Sequence, residues 1–195
     1  MEISRELKDL LTEVFHIGVG QAADALSEML DLEIEMEVPQ LHFLNFSTME
    51  EYLRQNQGEF VCVRQEIHGD LEGMGTLSLT VDNGKTLMEQ LLKITFMQPG
   101  FGLTEMEAIK EVGNIIINAV GAAFDDIIKF EINFDVPHVS QIDTAIPFQA
   151  SFNEQHFFMV AQTSISIKEF CVEGVINLMF TSLRIAALED LVRQK

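Results

Sequence analysis

Basic residues are scarce in this sequence, which has 12 Lys and Arg against 31 Asp and Glu and a net charge of −19 at neutral pH. Such a charge repels phosphate backbones and anionic lipid headgroups, which argues against nucleic acid as a partner. It favours proteins that present lysine or arginine, and an acidic composition that serves solubility alone is an equal alternative. No window reaches the roughly 18 apolar residues of a membrane span, and the N-terminus lacks the basic and apolar regions of a signal peptide. The sequence therefore predicts a cytoplasmic protein without membrane insertion.

Cysteine is also rare, with Cys62 and Cys171 as the only two. Each lies in an apolar run, and neither belongs to a CxxC motif or has a histidine at the spacing of a zinc site. We predict that both are buried thiols in a reducing compartment. The five histidines are scattered along the chain, so the sequence predicts no metal-binding cluster.

An internal repeat organises the chain. Residues 9–39 align without a gap with residues 107–137 at a constant offset of 98 residues, and the match includes charged, apolar and proline positions. Chance supplies scattered matches far more readily than a constant register. We therefore predict that residues 1–195 form a single domain built from two repeats, about 1–98 and 99–195.

Each repeat opens with the apolar periodicity of a long helix, over residues 4–31 and about 104–129. Ser4 is the predicted N-cap of the first helix. A segment that alternates polar and apolar residues follows each helix, and Pro39 and Pro137 are expected to end these two strands.

Later segments predict two antiparallel strand pairs, one in each repeat, each followed by a short helix. Capping boxes from Ser47 to Glu50 and from Thr104 to Glu107 predict the starts of a further short helix and of the second long helix. Together these elements predict an α+β fold with pseudo-twofold symmetry. Its continuous antiparallel sheet is expected to carry the two long helices side by side on one face.

Glycines interrupt both long helices, at Gly18, Gly20, Gly113 and Gly121. A glycine inside a helix costs about 1 kcal/mol relative to alanine, so some group is expected to approach these helices closely. We predict close helix–sheet packing at Gly121 and a ligand or partner surface at Gly113.

Glu111 and Asn114 are the polar pair that stands out in the second long helix. Because they are three residues apart, they lie about 60° apart on one helix face. Asparagine has poor helix propensity, and Asn114 begins a long apolar run. The pair is either an ordinary solvated helix face or a site made from a carboxylate and an amide.

The segment EVGNIIINAVGAAFDDIIKFEINFDVP resembles the signature of the CheC family of CheY-phosphate phosphatases, which includes the CheC, CheX and FliY types. The family pattern places an acidic residue or serine before a glutamate, an asparagine three residues after it, and a proline further along. These positions correspond to Glu107, Glu111, Asn114 and Pro137.

The first repeat is similar to the same pattern through Asp9, Glu13 and Pro39, but His16 stands in place of the asparagine. An imidazole ring positions its donor and acceptor differently from an amide. We therefore expect Glu13 and His16 to contribute little to any activity, and a structural role for His16 on the helix surface is an equal alternative.

The resemblance implies a phosphatase that hydrolyses the phosphoaspartate of a CheY-like response regulator. It assigns Asn114 the orientation of the attacking water, and Glu111 the pairing with a lysine of the regulator. It also implies a CheD-like deamidase as a further partner and no cofactor in this chain, because the Mg²⁺ belongs to the regulator. The alternative, implied by the similar middle domains of FliM, is a non-catalytic binding module or adaptor of the chemotaxis or flagellar-switch machinery.

Overall fold

The computed structural model describes residues 3–70, 72–93, 95, 100–146 and 153–193. The helices are α1 (Arg5–Leu30), α2 (Phe46–Gln55), α3 (Val81–Leu92), α4 (Leu103–Ile128) and α5 (Ser182–Arg193). The strands are β1 (Ile34–Asn45), β2 (Gln57–Gly69), β3 (Gly73–Thr80), β4 (Ile132–Phe134), β5 (His138–Thr144), β6 (His156–Ile167) and β7 (Phe170–Thr181).

The strands form one antiparallel sheet in the order β1-β6-β7-β3-β2, and β4 and β5 both pair with the outer edge of β2. The predicted antiparallel pairs correspond to β2 with β3 and to β6 with β7. This order is symmetric: if β1 is exchanged with the β4–β5 pair, β2 with β6, and β3 with β7, the same order results, read from the other edge of the sheet. A pseudo-twofold axis requires such an order, although the division of the chain into two repeats stays a prediction.

Helices α1 and α4 are each 26 residues long, and both their first and their last residues lie 98 positions apart. They pack against each other, and a Cβ atom added to Gly18 of α1 would lie 2.5 Å from the Cα atom of Val120 in α4. The predicted α+β fold with two long helices side by side is therefore confirmed. No helix in the described ranges combines the length and apolar composition needed to cross a membrane.

The main core lies between these two helices and one face of the sheet. It contains buried side chains of α1 and α4 together with inward-facing residues of β2, β3, β6 and β7. Helix α2 covers the opposite face, where Met49 and Leu53 pack with Phe158 and Val160 in a second, smaller cluster. Because β6 contributes to both clusters, its successive side chains are buried on alternate faces, as expected for a central strand.

Ser4 caps α1 as predicted, because its Oγ atom accepts a hydrogen bond from the backbone N–H of Leu7 at 3.2 Å. The capping box predicted for Ser47 is wrong by two residues. Asn45 is the N-cap of α2, and its Oδ1 atom accepts from the backbone N–H of Thr48 at 3.0 Å. The Thr48 hydroxyl accepts in return from the backbone N–H of Asn45, so an asparagine and a threonine provide the reciprocal bonds.

The capping box predicted for Thr104 and Glu107 is also wrong. Helix α4 begins directly after Gly102, which offers no side chain to cap it, so Thr104 already lies inside the first turn. Glu107 instead forms an ion pair with Lys110 one turn further along the helix. The helix therefore begins one residue before Thr104, the residue that the sequence predicts as its N-cap.

Pro39 does not end the first strand as predicted. Strand β1 continues through it to Asn45, and the pairing with β6 shifts register between Glu37 and Gln40. A proline is tolerated there because β1 is an edge strand and the irregularity removes the need for its missing N–H. Pro137 does interrupt its segment, because it lies between β4 and β5.

Candidate functional site

Glu111 lies on the exposed face of α4, and Asn114 lies at the edge of that face, where the helix meets the sheet. Glu111 is exposed and Asn114 is half-buried, whereas Val112 and Gly113 between them are buried. A Cβ atom added to Gly113 would lie 2.5 to 2.6 Å from three atoms of Val63 in β2. The ligand or partner surface predicted at Gly113 is therefore wrong, because this glycine lets α4 pack closely on the sheet.

The close helix–sheet packing predicted at Gly121 is confirmed, since a Cβ atom there would overlap the ring of Phe134 in β4. Gly18 serves the contact between the two long helices, as described above. Gly20 differs from these three, because a Cβ atom added to it would meet nothing within 4 Å. Close packing thus accounts for three of the four helix glycines.

The side-chain amide of Asn114 belongs to a hydrogen-bond network that joins α4 to the sheet. Its Oδ1 atom accepts from Nε2 of Gln65 at 3.0 Å and from Nδ2 of Asn118 at 2.7 Å. Gln65 is a residue of β2 and is only 1% exposed, and its Nε2 atom also donates to the backbone carbonyl of Asp135 at 3.1 Å. Asn114 is therefore anchored from the sheet below and from the next turn of its own helix.

This network assigns the orientation of each amide. Because Gln65 donates to a backbone carbonyl, its Nε2 atom must face Asp135 and Asn114, which makes the nearer atom of Asn114 the accepting oxygen. The Nδ2 atom of Asn114 then points away from the network. It has no hydrogen-bond partner in the described part of the chain and is not among the buried unpaired atoms, so it is open to solvent.

The carboxylate of Glu111 is also available to a partner. Within the described ranges it takes part in no hydrogen bond or ion pair, whereas the nearby Glu107 is paired with Lys110. An exposed carboxylate one helical turn from an outward-facing amide N–H can bind a cationic side chain and position a water or an oxyanion. Glu111 and the outward-facing amide of Asn114 therefore form a polar surface patch on α4.

The corresponding pair on α1 lacks such an arrangement. Glu13 and His16 are both exposed, and neither makes a hydrogen bond or ion pair with another residue that the structure describes. Asp9 lies 3.9 Å from Arg5 in an exposed i,i+4 pair, which contributes little in water. The structure therefore places the four predicted site residues in two separate pairs on adjacent helices, and only Asn114 is held in place.

Gln65 and Asn118 were not predicted as site residues, although the sequence contains a signal for the first. In β2 the residues Val61, Val63 and Ile67 face the main core, and Gln65 occupies the polar position in this alternation. A buried amide at an inward-facing strand position requires a hydrogen-bond partner. The sequence cannot show that the partner is the asparagine of α4.

A group of possible metal ligands was also not predicted. Ligand atoms of Glu66, His68 and Asp135 all lie within 4.8 Å of one another, and all three residues are exposed. His68 Nε2 lies 3.1 Å from a carboxylate oxygen of Asp135, across the pairing of β2 with β4. These three residues could hold a metal ion, but only Glu66 and His68 are close in the sequence, and the sheet brings Asp135 beside them.

The two cysteines have different environments, so the prediction that both are buried is wrong for one of them. Cys62 in β2 is buried, and burial raises the pKa of its thiol to about 11. Cys171 lies on an exposed position of β7, because the alternation of that strand directs it away from the core. Neither thiol lies beside Glu111 or Asn114 in the sequence or in their network.

Comparison with known proteins yields a match to the CheC-like family over residues 8–42, which include Glu13 and His16. The CheY-P phosphatase CheC of Bacillus subtilis (strain 168) is 26% identical over 145 residues, which cover 71% of this chain and 68% of that protein. Both comparisons agree with the resemblance noted in the sequence.

Several solved structures share the fold. Thermotoga maritima FliY matches with a TM-score of 0.77 at 19% identity and covers 100% of both chains. A chain of the FliG–FliM complex from H. pylori has a TM-score of 0.71 at 11% identity, over 96% of this chain and 100% of that chain. A chain of the CheX–CheY–BeF3–Mg²⁺ complex from Borrelia burgdorferi has a TM-score of 0.55 at 16% identity, over 88% and 97%. The family match and the curated relative are consistent with the CheC-like resemblance of the sequence, and the solved structures show that the fold is shared.

Proposed function

We propose that this protein is a phosphatase that hydrolyses the phosphoaspartate of a CheY-like response regulator. The observation that carries the proposal is the amide of Asn114, which is anchored through its oxygen and directs its N–H groups to solvent beside the exposed Glu111. The Bacillus subtilis relative is named as a phosphatase for phosphorylated CheY, which supports the same activity here.

In this proposal Asn114 acts on water. When α4 docks on the regulator, Nδ2 donates a hydrogen bond to one lone pair of a water molecule, which leaves the other lone pair directed at phosphorus. The water oxygen bonds to phosphorus, the bond from phosphorus to the aspartate oxygen breaks, and a water proton passes to the released phosphate. Positioning of this kind supplies much of the acceleration in phosphoryl transfer.

Glu111 has a different part, because it binds the regulator without touching the water. Its free carboxylate pairs with a lysine of the receiver, and the net charge of −19 attracts such a partner over short distances at physiological salt. The Mg²⁺ belongs to the regulator in this proposal and supplies charge neutralisation at the phosphoryl group. The complex of CheX with CheY, BeF3 and Mg²⁺ supports that division.

The alternative is a non-catalytic binding module, and the FliG–FliM complex among the proteins of this fold favours it. The exposed His16 on α1, in place of the family asparagine, is a second observation in its favour. A module that only binds has no need of an anchored Asn114 amide, however. A CheD-like deamidase as a further partner stays a prediction.

The two proposals are separated by a binding assay and a turnover assay on the same variants. A CheY-like receiver is phosphorylated with a small phosphodonor in the presence of Mg²⁺, and both its phosphate lifetime and its affinity for this protein are measured. Glu111→Lys should weaken binding, because it sets a cation against the receiver lysine. Asn114→Ala should retain binding and lose turnover. A wild-type protein that binds the receiver without shortening its phosphate lifetime would establish the binding module.

A further inference from the structure

We infer that Gln65 and Asn118 are positioning residues that hold the Asn114 amide in one orientation, with Nδ2 outward. Both donate to the same oxygen of Asn114, at 3.0 and 2.7 Å. An amide oxygen has two lone pairs, and these two donors occupy both of them. The catalytic consequence of this arrangement rests on the proposed function, whereas the orientation itself does not.

The alternative orientation of Asn114 is disfavoured mainly by Gln65, whose own orientation is fixed by a second hydrogen bond. If the amide turned over, its Nδ2 atom would face the N–H group of Gln65 and that hydrogen bond would be lost, whereas Asn118 keeps a bond only if its own amide turns over as well. Gln65 cannot turn to compensate, because its Nε2 atom is also bonded to the carbonyl of Asp135. Gln65 is therefore bonded both to the backbone at Asp135 and to the oxygen of Asn114, and these two bonds keep the N–H groups of Asn114 directed outward.

The sheet position related to Gln65 by the 98-residue offset shows what the glutamine adds. That position is Thr163 in β6, which is 2% exposed and donates from Oγ1 to the backbone carbonyl of Glu37 at 2.9 Å. Gln65 makes the equivalent bond to Asp135, and Glu37 and Asp135 are also 98 residues apart. The threonine keeps the bond to the strand, but its short side chain offers no second donor to the long helix.

The related positions of the long helix α1 also lack the groups that orient Asn114 on α4. The residue 98 positions before Asn118 is Gly20, which has no side chain, and the residue 98 positions before Asn114 is His16. Both donors that orient Asn114 are therefore missing beside His16. The sites on α1 and α4 therefore differ at three related positions, which are His16, Gly20 and Thr163 against Asn114, Asn118 and Gln65.

The test combines side-chain NMR with kinetics on the full chain. In the wild type, ¹⁵N relaxation of the Asn114 side-chain amide, assigned with Asn114→Ala, should report a rigid group. In Gln65→Leu and in Asn118→Ala the amide should become mobile on the picosecond to nanosecond timescale. Asn118→Ala guards against a folding defect, because it replaces a half-buried helix residue by a better helix former.

The kinetic readout should separate turnover from binding. With a phosphorylated CheY-like receiver as substrate, kcat should fall by about ten- to a hundred-fold in both variants, because small misplacements of a positioning group have effects of this size. The KM should stay close to the wild-type value, since Glu111 is unchanged. Thr163→Val is the matched control, because it removes a buried donor from the related position and should leave both the Asn114 amide and kcat unchanged.

The possible outcomes are distinguishable. An Asn114 amide that stays rigid in Gln65→Leu and Asn118→Ala would overturn the inference, and so would a wild-type kcat in these variants. If the amide becomes mobile in both while even the wild type hydrolyses no phosphoaspartate, the positioning role is upheld and the proposed phosphatase function fails.

Discussion

Alanine at Gly113 and at Gly20 should have opposite effects on stability, although both substitutions occur inside a long helix. Each gains about 1 kcal/mol of helix propensity. At Gly20 nothing lies within 4 Å of the added Cβ, so the whole gain should appear as higher stability. For a chain of this length it corresponds to a rise in Tm of about 2–4 °C.

At Gly113 the added Cβ would lie 2.5 to 2.6 Å from the Cβ and both methyl groups of Val63. Rotation of the valine cannot relieve this overlap, because its Cβ is fixed to the backbone of β2, so α4 must move away from the sheet. Overpacking of this kind costs about 1–3 kcal/mol. Because the propensity gain is common to both variants, Gly113→Ala should be less stable than Gly20→Ala by this packing cost alone.

The same displacement has a functional consequence, because it lengthens the 3.0 Å bond from Gln65 to Asn114. Gly113→Ala should therefore also lower phosphatase turnover, whereas Gly20→Ala should not. Urea and thermal unfolding measure the first effect, and the phosphate lifetime of a receiver measures the second. Equal stabilities for the two variants would refute the reasoning about helix–sheet contact at Gly113.

Three further predictions concern other parts of the molecule. At pH 8 a disulfide reagent should modify one thiol rapidly, and Cys171→Ser should abolish that phase, because burial keeps Cys62 protonated until near its pKa of about 11. His16→Ala should give the same phosphate lifetime of the receiver as the wild type, since the positions related to Asn118 and Gln65 are Gly20 and Thr163, which supply no donor to orient His16. Ser4→Ala should lower the unfolding free energy by about 1 kcal/mol in urea titrations, because it removes the acceptor for the N–H of Leu7.

Elements that depend on local sequence could be predicted closely. The long helices were expected at 4–31 and about 104–129, and α1 and α4 span Arg5–Leu30 and Leu103–Ile128. Their apolar periodicity is continuous over 26 residues, so a few breaks by glycine do not hide it. Strand β1 is longer than predicted, because it continues through Pro39. Sequence alone does not show that β1 is an edge strand, where a proline is tolerated.

The candidate site could be predicted only in part, for a related reason. Glu111 and Asn114 lie on one helix, so their spacing alone places them on one face. The hydrogen bond from Gln65 to Asn114 joins residues 49 positions apart, and it depends on how closely Gly113 lets α4 approach β2. Such contacts are set by tertiary packing, which no local pattern encodes.

In the proposed function, Asn114 makes this protein a catalyst and not only a binding partner of the receiver. The most direct measurement is phosphate release from a phosphorylated CheY-like receiver in the presence of Mg²⁺ and a substoichiometric amount of this protein. We expect multiple turnovers with the wild type and a loss of about two or more orders of magnitude in rate with Asn114→Ala, at unchanged receiver affinity. Equal rates of phosphate release with wild type, with Asn114→Ala and with the receiver alone would contradict the proposed function.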